Sequence, residues 1–156
     1  MRRIRFSAAV SLDGYIAGPN GESDWIVMDP DIDFGALMAQ FDALLMGRGT
    51  YEIAGGGGPG FGDKAVYVVS TTLDPKKHKK VTVVSKDVEA FVADLKKQPG
   101  KDIWLFGGGS MFRTLADAGL RIAAVTKSAP AQRRSPRRMQ GAAAECGQVV
   151  RLAAEA

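Results

Sequence analysis

Two short stretches of this 156-residue chain have the residue types and spacing to hold an anion. In the first, an apolar run over residues 103–106 ends in Phe106-Gly107-Gly108-Gly109-Ser110. The segment after it carries Met111, Phe112, Leu115 and Ala116 at helical spacing. A strand, glycine turn and helix in that order let the backbone approach a ligand closely and turn the first N–H groups of the helix toward a phosphate. In the second, an apolar run over residues 43–46 leads into Gly47-Arg48-Gly49-Thr50-Tyr51-Glu52, with an arginine where a phosphate would sit. Neither is a GxGxxG fingerprint or a loop ending in Gly-Lys-Ser/Thr, and each alone reads equally as a tight turn packing a helix onto a sheet. Two such turns in one chain point to a dinucleotide or phosphate site.

Carboxylates and aromatic rings lie near the start of the chain. Residues 11–21, Ser-Leu-Asp-Gly-Tyr-Ile-Ala-Gly-Pro-Asn-Gly, form a long glycine-bearing loop, and Asp24-Trp25 closes it with a carboxylate and an amphipathic ring. Asp13 in that loop is open to two readings, a functional carboxylate or a loop cap, and Trp25 is either a site residue or a core ring.

The elements that position these residues follow from periodicity. Residues 3–10 alternate as a strand with Ile4, Phe6, Ala8 and Val10 on one face. Asp33 is the expected N-cap of a helix whose buried stripe is Phe34, Leu37, Met38 and Phe41. Residues 65–70 and 81–84 are β-branched strands, and Val88, Phe91, Val92 and Leu95 give a further amphipathic helix. The glycine run over residues 55–62 reads as flexible. Strands alternating with helices predict an α/β domain covered by helices on both faces, with ligands at the C-terminal strand ends.

Composition narrows the function. The net charge of +4 is uneven: residues 1–120 carry −1 and residues 121–156 carry +5. Basic excess confined to a tail, without aromatic interleaving in the body, argues against nucleic acid as the partner. One cysteine, Cys146, and one histidine, His78 in a Lys-Lys-His-Lys-Lys run, give poor support to a metal site or a Ser-His-Asp triad. With no apolar run near the roughly 20 residues of a membrane span and no secretory signal pattern, the expectation is a cytoplasmic protein without membrane contact.

The ordered motifs Ser11-Leu12-Asp13-Gly14-Tyr15-Ile16-Ala17 with Asp24-Trp25, Met46-Gly47-Arg48-Gly49-Thr50-Tyr51-Glu52, Val68-Val69-Ser70, and Phe106-Gly107-Gly108-Gly109-Ser110 resemble the dihydrofolate reductase-like superfamily. The nearest resemblance is to the reductase domain of bacterial riboflavin biosynthesis, over residues 4–120. It implies a three-layer α/β/α fold with a mixed, mostly parallel central sheet, and a homodimer. It further implies an NADPH-dependent reductase acting on a pterin-like or ribosylaminopyrimidine-like molecule. On that resemblance Gly47, Arg48, Gly49 and Thr50 meet phosphate oxygens, and Gly107, Gly108, Gly109, Ser110 and Met111 the pyrophosphate. Val69, Ser70 and Thr71 would stand beside the adenosine 2′-phosphate, Ser85 and Lys86 at the adenine end, and Ala9, Ile16 and Phe106 along the cofactor. Thr71 replaces a basic residue common in relatives, with Lys86 as the compensating charge. Asp31 or Asp33 is the nearest equivalent of the pterin-holding carboxylate, and Asp13 and Trp25 complete the candidate catalytic set.

After residue 120 the relatives' final strands and Gly-Gly-Gly-Val-Pro-like loop are missing or altered. One codon choice for residues 132–138, CAG CGG CGG AGT CCC CGT CGT, reads Ser-Gly-Gly-Val-Pro-Val when shifted by one base. The expectation is a reductase domain over residues 1–120 and a frameshifted or disordered tail over 121–156, in which residues 122–126 still suit one strand. The competing functional reading is a nucleotide-binding protein without turnover, its C-terminal strands having been lost.

Overall fold

The computed structural model describes residues 1–8, 15–22, 26, 33–56 and 61–125. Ten elements follow one another: β1 (Ile4–Ser7), α1 (Phe34–Met38), β2 (Phe41–Gly47), α2 (Arg48–Ile53), β3 (Ala65–Val69), β4 (Thr82–Val84), α3 (Val88–Lys97), β5 (Asp102–Phe106), α4 (Gly109–Asp117) and β6 (Ile122–Val125). The strands make one sheet in the order β4-β3-β2-β5-β1-β6, and every described pairing is parallel. An antiparallel member, expected of a mixed sheet, is not among the described strands. The sheet does run past residue 120, because β6 pairs with β1 in the register Ile4↔Ile122 to Ser7↔Val125.

The sheet alternation sorts the core into two faces. Ile4, Phe6, Ala43, Leu45, Ile103 and Leu105 pack against Val92 and Leu95 of α3 and against Met111, Phe112 and Leu115 of α4. On the other face Leu44, Met46, Val66, Val68 and Trp104 pack against Tyr51 of α2, with Leu37 and Met38 of α1 half-buried beside them. The result is three layers, α/β/α, as the alternating pattern predicts. The stripes expected of α3 and α4 are the ones buried. Glu89 in the first turn of α3 and Lys96 and Lys97 in its last turn also match the helix dipole.

The first helix departs from expectation. Asp33 is its N-cap, accepting from the Ala36 N–H at 2.8 Å, but the helix ends at Met38 and Phe41 opens β2. None of its five residues is buried, and Phe34 is exposed. Phe41 stacks on Trp104 at 5.2 Å from the sheet itself, so the i+7 spacing from Phe34 matches a helix only by coincidence. The first strand likewise ends at Ser7, with Ala8 still packed on the core and Val10 outside the described residues.

Charged groups close the edge of the sheet at which the strands begin. The register slips between Phe41 and Ala43, and Asp42 at that bulge pairs with buried Arg2 and accepts the Lys101 N–H at 2.8 Å. Arg2 Nε donates to the Lys101 carbonyl at 2.6 Å and its backbone N–H to the Lys96 carbonyl at 2.9 Å. Arg3 grips Asp102 through Nε and Nη2, the latter at 2.8 Å, and Arg5 adds a charge at 3.8 Å. Burial pushes the Asp102 carboxyl up, but hydrogen bonds and charge from Arg3, joined by Arg5, outweigh it and hold the carboxyl below its ordinary range.

Candidate functional site at the C-terminal strand tips

The opposite edge is built from short side chains and bare backbone. Because the strands are parallel, the ends of β4, β3, β2, β5 and β1 lie in a row, and the candidate residues fall on them in that order. Ser85 and Lys86 follow β4, Ser70 and Thr71 follow β3, Gly47 to Thr50 lie at the end of β2, and Phe106 to Met111 at the end of β5.

The two glycine turns meet. β2 and β5 are hydrogen-bonded neighbours, and the helices that leave them go to opposite faces, α2 packing under Tyr51 and α4 under Met111, Phe112 and Leu115. Neighbouring strands whose continuations part to opposite faces form the crevice at which open α/β sheets bind ligands. Gly107 and Gly108 take φ of 73° and 81°, which only glycine adopts without strain. A Cβ on Gly107 would stand 3.0 Å from the Thr50 side chain, so the second turn lies directly against the first. Ile16 of the early loop reaches the same place, its Cδ1 being 3.2 Å from where a Gly109 Cβ would stand.

A Cβ on Gly47 or Gly49, by contrast, would meet nothing within 4 Å among the described residues, so these glycines border open space. Neither Gly47, the N-cap of α2, nor Gly108, the N-cap of α4, supplies a side-chain hydrogen bond to its helix. The first N–H groups of a helix have no intrahelical partner, and here two uncapped starts stand side by side at a crevice with room beside one of them. The arrangement suits a phosphate-bearing ligand in its donors, its bare backbone and its space.

Further along the row, Ser70 is mostly a builder. Its Oγ accepts the N–H groups of Thr72 and Leu73 at 3.2 and 3.0 Å, and its own N–H donates to the Val84 carbonyl, tying β3 to β4. Thr71, Ser85 and Lys86 are exposed beside it, and Val69 is half-buried. Arg48 bridges the two tips: Nε donates to Glu52 Oε1 at 2.8 Å and Nη1 to Thr72 Oγ1 at 2.7 Å.

Two residues with no expected role at the site, Tyr51 and His78, hold this turn in place. The hydroxyl of buried Tyr51 donates to the Gly56 carbonyl at 2.7 Å and lies 3.0 Å from His78 Nδ1, which therefore supplies the proton they share. Tyr51 so fastens α2 to both the glycine loop and the long β3–β4 connection. Only the fold brings His78 there; in sequence it is one member of a basic run. Glu52, quoted in the motif without a role, and Thr72 belong with them; for Glu52 the spacing of four from Arg48 on a helix is the available signal.

The candidate catalytic group is less completely placed. Asp33 is exposed and caps α1, so its carboxylate serves the backbone of its own helix. Asp13, Trp25, Asp31 and the cofactor candidate Ala9 lie outside the described residues. Trp104, central in β5 and nearly fully buried, has an indole N–H without a hydrogen-bond partner among the described residues. Among those residues no three His, Cys, Asp or Glu side chains gather, and no helix is long and apolar enough to cross a membrane.

Comparison with known proteins places this architecture. The chain is 39% identical over 132 residues to the uncharacterized protein YyaP of Bacillus subtilis (strain 168), an alignment spanning 76% of this chain and 70% of that protein. With the uncharacterized protein YwjB of the same organism it shares 34% over 115 residues, 70% of this chain and 66% of that protein. Among solved structures, a protein provisionally named for riboflavin biosynthesis from Shewanella sp. PV-4 superposes with a TM-score of 0.59 at 28% identity, covering 83% of this chain and 78% of that one. The diaminohydroxyphosphoribosylaminopyrimidine deaminase/5-amino-6-(5-phosphoribosylamino)uracil reductase of Thermotoga maritima shares the fold, with a TM-score of 0.56 at 16% identity. The match takes in 83% of this chain and 45% of that longer one. The model of the RibD C-terminal domain family matches residues 2–56 and 61–122, from the lead-in to β1 as far as the start of β6. That match leaves out only the middle of the glycine loop between its two ends, and with it the chain belongs to the RibD C-terminal domain family, within the dihydrofolate reductase-like superfamily.

Proposed function

We propose that this chain is an NADPH-dependent oxidoreductase that reduces a pterin-like or ribosylaminopyrimidine-like small molecule. The observation that carries the reading is the meeting of two glycine turns at one crevice, with Gly47 and Gly49 bordering open space and Thr50 against Gly107. Family membership and the uracil reductase named in the Thermotoga protein support the choice of cofactor and substrate class.

When bound, the cofactor supplies the hydride, and the chain's own residues bind, orient and exclude water. The amides after Gly47 and after Gly108 would meet the phosphate oxygens, with the Arg48 guanidinium adding charge. Ile16, packed over Gly109, would cover the turn from the side of the early loop. A substrate then has to lie with its electron-poor carbon against the carried hydride, and Asp13, Trp25 and Asp31 are the candidates for holding it, Asp33 being engaged as the cap of α1. A homodimer and a cytoplasmic location belong to the same proposal.

NADPH at a hundred times its dissociation constant should stabilise the fold by about 2.7 kcal/mol, read as a rise in Tm. Arg48→Ala should diminish that rise. Loss of absorbance at 340 nm with a pterin or ribosylaminopyrimidine substrate would establish turnover. No rise in Tm at millimolar NADPH would sink the assignment, whereas a rise without oxidation of NADPH across a substrate panel would favour nucleotide binding alone.

A further inference from the structure

The first glycine turn has little of its own to hold it. α2 has six residues, Tyr51 is the one of them that is buried, and Gly47 gives the helix no side-chain cap. Isolated helices below about 12 residues are marginal in water, so α2 takes its place from tertiary contacts. That place is closely set, because a Cβ on Gly107 would stand 3.0 Å from both Cγ2 and Oγ1 of Thr50.

Two side-chain bonds tie α2 to one connection, residues 70–81. Arg48 Nη1 donates to Thr72 Oγ1 at 2.7 Å in the open, whereas Tyr51 is 1% exposed and makes its bonds away from water, where a hydrogen bond is stronger. The Tyr51 hydroxyl donates to the Gly56 carbonyl at 2.7 Å, and His78 Nδ1 lies 3.0 Å from it with the imidazole edge-on at 5.4 Å. His78 is itself held by its backbone. Its N–H donates to the Pro75 carbonyl at 3.3 Å, its carbonyl accepts from Val81 at 3.1 Å, and Leu73 and Val81 on either side pack on the core. Lys76, Lys77, Lys79 and Lys80 are exposed around it, so in the Lys-Lys-His-Lys-Lys run only the imidazole turns inward.

The proton count fixes the roles. A hydroxyl carries one proton and Tyr51 gives it to Gly56, so the second bond draws its proton from Nδ1. The clasp therefore requires an N–H at the position of Nδ1, and a donor elsewhere on the side chain does not replace it.

We infer that His78 is a positioning residue for the crevice: acting through Tyr51, it fixes α2 so that Gly47 to Thr50 keep their place against Gly107, and affinity for a phosphate-bearing ligand depends on it. The inference rests on the reductase reading and adds the support on which the first glycine turn stands.

The test is calorimetric titration of the full chain with NADPH. His78→Ala should weaken binding by about tenfold. The side-chain nitrogen of asparagine is attached to Cγ, as Nδ1 is, and that of glutamine is one bond further out, as Nε2 is. His78→Asn should therefore recover most of the affinity and His78→Gln little of it. Tyr51→Phe should lose at least as much as His78→Ala, and His78→Ala placed on Tyr51→Phe should add nothing, because the two changes break one bond. Affinity of His78→Ala within about twofold of wild type, or recovery by asparagine no better than by glutamine, overturns the inference and leaves the reductase reading standing. The asparagine–glutamine comparison decides the matter even where His78→Ala does not fold. A wild type that binds no NADPH overturns both.

Discussion

The two edges of the sheet are finished by opposite means. Where the strands begin, Arg2, Asp42, Lys101, Arg3 and Asp102 lock side chain to side chain and side chain to backbone, and even a Cβ on Gly100 would run into Asp42 and Arg2. Where the strands end, the same sheet offers glycines, two helix starts without side-chain caps, and space beside Gly47 and Gly49. A fold has only marginal net stability, so an end finished with bare backbone must be offset elsewhere. Here β5 links the two ends, being fixed at Asp102 and opening at Gly107.

Substitutions at the two ends should therefore separate stability from binding. The largest loss is expected for Asp42→Ala, which strands the buried Arg2 charge and an amide. Its cost is about 3 kcal/mol in urea unfolding, with NADPH affinity little changed. Next, Gly107→Ala puts a side chain at positive φ and against Thr50, costing about 2 kcal/mol, and here the stabilisation by NADPH should fall as well. If Asp42→Ala weakened NADPH as much as Gly107→Ala does, the division of labour would be wrong.

A smaller effect concerns acid. Because the Asp102 carboxyl is held below its ordinary range, the stability it contributes is fully present above the unfolded value of about 4 and is lost as pH falls through the lower folded value. Asp102→Asn should flatten the stability profile in that window and leave it unaltered near neutrality in shape. Smallest of all is Trp104→Phe. It gives up some packing against Phe41 and Phe106 but removes a buried N–H with no hydrogen-bond partner among the described residues, so a net change within about 1 kcal/mol is expected by denaturant titration.

Much of this could be read from the residues alone, and the exceptions have physical causes. The stripes of α3 and α4 are long enough for the 3.6-residue period to speak, and glycines after apolar runs mark strand ends wherever the backbone must turn sharply. A five-residue helix cannot establish a period, which is why the i+7 spacing from Phe34 draws Phe41 toward α1 although it opens β2. Asp87 takes a left-handed φ of 48° at the entry to α3, a conformation that an aspartate tolerates but does not announce. The Tyr51–His78 clasp and the hold of Thr72 on Arg48 join residues 27 and 24 positions apart, and no local pattern carries such pairings. Of the candidate site, the glycine turns were legible because they are local; the partners that aim Arg48 were not.

The place of β1 has a consequence for how the chain acquires its shape. It is the earliest of the described strands, yet it lies inside the sheet between β5 and β6, and its Arg3 waits for Asp102, 99 residues away. At about 5–20 residues per second on the ribosome, the opening segment has no lasting neighbours for several seconds. Parallel pairing over such separations is slow to close, so nascent chains halted before β5 should be the species that chaperones and proteases meet.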